Sequence, residues 1–127
     1  MFGLFKMDKA NTPIRKQLPA AAATYNVGEA AVIVGGVVTK ATGTTKPTHI
    51  IAEKGTKTTA DTVTVEPIYP DQEYVTTLST AGTLTVGTKV TIASDAAQVT
   101  ATTTSGVATV IEATGSTSGS TVIVKFD

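Results

Sequence analysis

The chain has 127 residues, ten Lys and Arg against ten Asp and Glu, one His, no Cys and no Trp. That length allows one domain with a modest core. The absence of Cys excludes a disulfide framework, a thiolate metal site and a cysteine nucleophile, and a single His excludes a multi-His zinc site. A net charge of zero argues against a general nucleic-acid binder, whose affinity comes largely from neutralising phosphates, and favours association over colloidal repulsion.

Thr, Val and Ile occur 27, 15 and 8 times, so fifty residues are β-branched. Such side chains are stiff at χ1 and pack well on a pleated surface, which predicts an all-β protein. Thirty-five large apolar residues suffice for a thin sandwich or a small barrel around one core.

The first segment, Met1–Met7, is apolar but interrupted by Lys6 and followed by Asp8 and Lys9. It is too short for a signal peptide, which needs an apolar run of about 7–15 residues, or for a membrane span, which needs about 20. The expectation is a protein made and kept in the cytoplasm unless another route exports it. Residues 1–24 hold Pro13, Pro19 and a four-Ala run, without period-two alternation. They read as an extended arm preceding a β domain of residues 25–127. Proline disfavours helix at the residue before it, so Thr12 and Leu18 are expected to be extended, and Ala20–Ala23 could form one helical turn.

Beyond Thr24 the sequence becomes short strands between turns. Ala30–Val34 and Val37–Ala41 flank Gly35-Gly36, a strong hairpin signal because both turn residues can take positive φ. Strands are expected at His49–Glu53 and at Thr62–Glu66, where Val63 and Val65 share a face, with a polar loop at Lys54–Asp61 between them. Pro67 and Pro70 bracket Ile68-Tyr69 and predict an edge or a bend. Glu73–Ser79 reads as a strand, as does Thr88–Ala93, with Val90 and Ile92 inward and Thr91 outward. Gln98–Thr102, Val107–Ala113 and Thr121–Phe126 complete about eight or nine strands, the last with Val122, Val124 and Phe126 on one face. This spacing suits a barrel or a sandwich.

The candidate chemistry is sparse. His49 begins a strand, and Glu53, four residues on, is about 13 Å away along it. Asp71 and Glu73 could share a face, but Asp71 after Pro70 is a typical turn residue. Gly115–Ser120 lacks the Lys-Ser/Thr ending of a phosphate loop, and no helix follows it. Tyr25, Tyr69 and Tyr74 would make a thin stacking platform. With no triad, metal set or phosphate signature, an enzyme is not expected, and no cofactor is implied.

The arm differs from the rest. It carries Phe2, Leu4, Phe5, Met7, Ile14 and Leu18, six large apolar residues without a core of their own, and the only Arg, Arg15. Four cations against one anion give residues 1–24 a net +3, and six against nine give residues 25–127 a net −3. Phe5, Ile14, Arg15, Lys16, Leu18 and Pro19 are therefore the candidate docking residues, since apolar anchors and Arg contribute most to interfaces. A disordered terminus over residues 1–8 is the alternative.

Three stretches carry a resemblance: Asn26–Lys54 (NVGEAAVIVGGVVTKATGTTKPTHIIAEK), Val86–Ala113 (VGTKVTIASDAAQVTATTTSGVATVIEA) and Thr121–Phe126 (TVIVKF). In their order of strands and turns they resemble the head decoration, or cement, proteins of tailed bacteriophages. The resemblance implies a small β-barrel or β-tulip-like domain on the outer surface of an icosahedral shell, commonly trimeric. It also implies the major capsid protein as partner and an N-terminal arm that touches the capsid. Dimer and monomer remain open, and neither nucleic acid nor membrane is an implied partner. The competing reading is an adhesive or carbohydrate-binding β-sandwich whose loops would meet a host glycan.

Overall fold

A computed structural model describes residues 1–6 and 14–127; the expectations that fall on Met7 and Thr12 lie outside them. The β-branched composition becomes twelve short strands, without a helix among the described residues. In chain order these are β1 (Gly3–Lys6), β2 (Lys16–Pro19), β3 (Ala23–Tyr25), β4 (Ala30–Val34), β5 (Val37–Lys40) and β6 (His49–Ile51). They continue with β7 (Gly55–Lys57), β8 (Thr62–Pro67), β9 (Glu73–Thr77), β10 (Lys89–Val90), β11 (Ala108–Ala113) and β12 (Thr121–Lys125).

One five-stranded sheet has the order β1-β9-β12-β11-β10, a second the order β2-β8-β6-β4-β5, and β3 pairs with β7 in a two-stranded ribbon. Neighbouring strands are antiparallel throughout. The sheets are open, so of the architectures expected from sequence the layered one holds and the closed barrel does not. An isolated parallel bridge, Ala20 to Val38, brings the end of β2 near β5, so the second sheet curls without closing. The strands also outnumber the eight or nine expected, because Gly3–Lys6, Lys16–Pro19, Ala23–Tyr25 and Gly55–Lys57 join the ladders, while Gln98–Thr102, expected as a strand, supplies only the isolated bridges of Val99 to Leu78 and Ile92.

The second sheet is buried on both faces where β4 and β6 pair. Successive side chains in a strand point to opposite faces. Ala30 and Ile50 accordingly enter a large cluster shared with the first sheet, beside Tyr74, Val110, Val122 and Val124. Their neighbours Ala31 and Ile51 enter a smaller cluster with Tyr25, Val38, Val63 and Val65. The single core expected from composition is thus two clusters either side of one sheet. Tyr25, from the β3–β7 ribbon, fills the smaller one, its hydroxyl 2.7 Å from the Ala21 carbonyl and 3.1 Å from that of Val38.

The division at Thr24 also needs correction, because β3 runs across it and pairs with β7. Phe2 is buried in the large cluster and Ala20 in the smaller. Ala20 bridges Val38 and Ala23 begins β3, so no helical turn forms there. The described part of residues 1–24 is integral to the sheets, and residues 7–13 lie outside the description. Thr91, expected outward, is buried, with its hydroxyl 2.7 Å from that of Thr100. The Gly35-Gly36 hairpin forms as expected, with φ of +58° and +82°.

Candidate interaction surface

The strands that flank residues 7–13 are both edge strands. β1 is the free edge of the first sheet and β2 of the second. A wedge of about 170 Å³ opens beside them, lined by Met1, Leu4, Arg15, Val27, Ile50 and Glu66 among others. Its floor depends on Gly28. The Phe2 N–H donates to the Gly28 carbonyl at 2.7 Å, and Gly28 N–H donates to Ile51 at 2.8 Å. Gly28 has φ of +86°, and a Cβ there would collide with the Met1 side chain. Only glycine combines that conformation with so close an approach.

The rim carries one ion pair, with Arg15 Nε 2.9 Å from Glu66 Oε1. The Arg15 side chain is 68% exposed, which leaves the pair well screened. Met1, Leu4 and Val27 are exposed apolar groups on the wall. Phe5 and Ile14, 56% and 59% exposed, do not line the wedge and neither does Lys16. Phe5 is the extra residue of a bulge: Leu4 pairs with Tyr74 and Lys6 with the next residue, Glu73. Bulges at sheet edges re-aim a side chain and discourage further strand pairing.

The six residues chosen from sequence therefore separate. Phe5, Ile14 and Lys16 are each exposed, and Arg15 lines the wedge. Leu18 is half-buried against the smaller cluster and is occupied by its own fold. Pro19 is exposed in the edge strand β2, opposite Thr62, where it has no N–H to offer a further strand. Met1 and Val27 were not legible as site residues. Val27 lies in a turn far along the chain from β1, and its one signal is an apolar side chain at an exposed turn position.

The other candidates stay apart. His49 Nδ1 is 2.8 Å from the Thr48 hydroxyl, and burial, then the charge of Lys16, hold its pKa below 6.5. Tyr25 and Tyr74 are buried and only Tyr69 is exposed, so the three tyrosines make no stacking platform. Burial raises the pKa of Tyr74 strongly, and its hydroxyl donates to Gln72 Oε1 at 2.8 Å. Among the described residues, no three His, Asp or Glu side chains are grouped to hold a metal, and no helix is long and apolar enough to cross a membrane. A scan against protein-family models finds no match, and a search of curated proteins finds no relative.

Proposed function

We propose that this protein is a virion structural protein that decorates the outer surface of an icosahedral phage capsid, with the major capsid protein as its partner. It would be synthesised in the host cytoplasm and act on the expanded shell by bridging capsid subunits without covalent bonds. The observation that carries the reading is the exposure of Phe5 in the edge strand β1, of Lys16 in the edge strand β2, and of Ile14 and Arg15 just before β2. Apolar anchors beside cations suit a partly acidic protein surface.

Docking by side chains fits these edges better than strand donation. β1 already pairs with β9 and β2 with β8, while the Phe5 bulge and Pro19 blunt the free edges. Many symmetric copies would then reinforce the shell by avidity, and a preference for assembled shell over separated subunits would stabilise it by mass action. A trimer is the self-association favoured by the resemblance.

The test is co-sedimentation of purified protein with expanded capsids of the parent phage. Wild type is expected to saturate the shell, and Phe5→Asp with Ile14→Asp to reduce occupancy at least tenfold while remaining folded. Failure of wild type to bind, or full binding by the double variant, overturns the reading.

A further inference from the structure

Directly paired residues of neighbouring strands share one face of a sheet. In the second sheet Lys16 lies opposite Val65, and Val65 opposite Ile51. One row along the same face, Pro67, His49, Ala31 and Lys40 stand opposite one another in turn. This is the face of the smaller cluster. Toward its end the cover is incomplete, for Pro67 and His49 are half-buried and Lys16 and Ile33 are exposed. Lys16 and His49 are two strands and one row apart, roughly 12 Å between Cα atoms at a strand spacing of about 4.8 Å.

Among the described residues this face holds three basic side chains, Lys16, His49 and Lys40, and no acid. Glu66, beside Pro67, points to the opposite face and pairs with Arg15. Glu29 and Glu53, just outside β4 and β6, pair with Lys40 and Lys57 at 3.0 and 3.2 Å. Lys16 is left without an ion pair among the described residues. His49 Nδ1 is 2.8 Å from the Thr48 hydroxyl, and Nε2 has no partner among the described residues. A protonated ring donates from both nitrogens, one to Thr48 and one to a ligand. Burial, then the Lys16 charge, hold the His49 pKa below 6.5, and an anion between the two cations would reverse the second effect.

We propose that Lys16 and His49 hold between them, above Pro67, a carboxylate from an acidic segment of the partner protein, and that protonation of His49 tightens the contact. The identity of that partner rests on the decoration reading; the site and its pH dependence go beyond it. The groups that face His49 are Lys16 from β2, uncharged Ala31 and Pro67 from β4 and β8, and Lys40 from β5, which Glu29 already engages. A carboxylate suits the site better than a nucleic acid. One fixed cation and one titrating ring neutralise few phosphates, and nucleic-acid affinity comes from neutralising many.

NMR on the full chain, with no capsid present, tests the site. The probe is hexa-aspartate, whose carboxyls titrate near about 3.9 and stay largely ionised while His49 titrates. The peptide is expected to raise the His49 pKa by about 1 unit, because a nearby opposite charge favours the charged form. By linkage, that shift equals about tenfold tighter binding to the protonated ring. Sodium chloride at equal ionic strength is the control, and hexathymidylate is the nucleic-acid probe. Lys16→Gln, at an exposed position, is expected to remove most of the peptide-induced shift, measured from the variant's own free value. His49→Gln is expected to bind the peptide equally across the range in which His49 titrates, and circular dichroism checks that both variants fold. A shift no larger than sodium chloride gives, a shift undiminished in Lys16→Gln, or tighter binding of hexathymidylate than of the peptide overturns the proposal. Peptide binding as expected, with no binding of wild type to capsids, overturns the decoration reading and leaves the site. Capsid binding that is the same for His49→Gln and wild type at every pH overturns the site and leaves the decoration reading.

Discussion

Phe2 packs edge-on against Phe126, their ring centroids 5.1 Å apart and their planes at 72°. Tyr74 stands 5.6 Å from the same Phe126 ring, so β9 and both flanking segments meet in one aromatic cluster. The contact makes residues 1–6 part of the core and not a detachable arm. Phe2→Ala removes a fully packed ring, and core Phe→Ala changes cost about 3–5 kcal/mol. Urea unfolding should show a lower midpoint at an unchanged slope. Deleting residues 1–24 removes β1, β2, Phe2 and Ala20 together and should abolish cooperative unfolding. A truncated chain with a sharp native transition would restore the arm-and-body division.

Gly28 sets where that N-terminal strand lies. An alanine there would hold φ near +86° at a cost of about 1–2 kcal/mol and would displace Met1 from the wedge. Gly28→Ala should therefore lower the thermal midpoint and also weaken any binding that uses the wedge. Val27→Thr, on the neighbouring exposed position, should leave the midpoint nearly unchanged. Equal losses in the two variants would mean that the strain at Gly28 is not the cause.

Local signals in the sequence were readable and long-range ones were not. The Gly35-Gly36 hairpin and the alternations Val63, Val65 and Val122, Val124 depend on a few consecutive residues, and they formed as read. Ala30-Ala31 and Ile50-Ile51 look like short apolar runs, and only the layering of the sheets explains why both members of each pair are buried. Phe2 looked stranded because its partner Phe126 lies near the other end of the chain. The exposure of Phe5 and Ile14 was legible as apolar residues without a local core. The wedge was not, since Met1, Leu4 and Val27 come together only when the two sheets pack.

Arg15 gives a prediction that separates stability from binding. Its ion pair with Glu66 is largely exposed, and such pairs contribute less than about 1 kcal/mol. Arg15→Gln should therefore leave the urea midpoint almost unmoved. Under the decoration reading it should weaken capsid binding and flatten the dependence of that binding on salt, because screened charge contacts fade as ionic strength rises. Capsid titrations at low and high salt measure both effects. A salt-independent wild type would remove electrostatics from the docking mechanism.

His49 supplies the pH dependence. Burial, and to a lesser extent the positive charge of Lys16, hold its pKa below the ordinary 6.5. As pH falls through 6.5 the unfolded chain binds a proton that the folded chain still refuses, so stability declines. The decline ends once pH passes the lowered folded pKa, where both states are protonated. Lys16→Gln removes the smaller cause, so it should move the His49 pKa part of the way back toward 6.5 and shrink the acid-side loss. His49 is the only histidine, and its ring proton gives an isolated NMR resonance for the titration. A return all the way to 6.5 would make the Lys16 charge dominant over burial. An unmoved titration would show that Lys16 does not act on the ring at all.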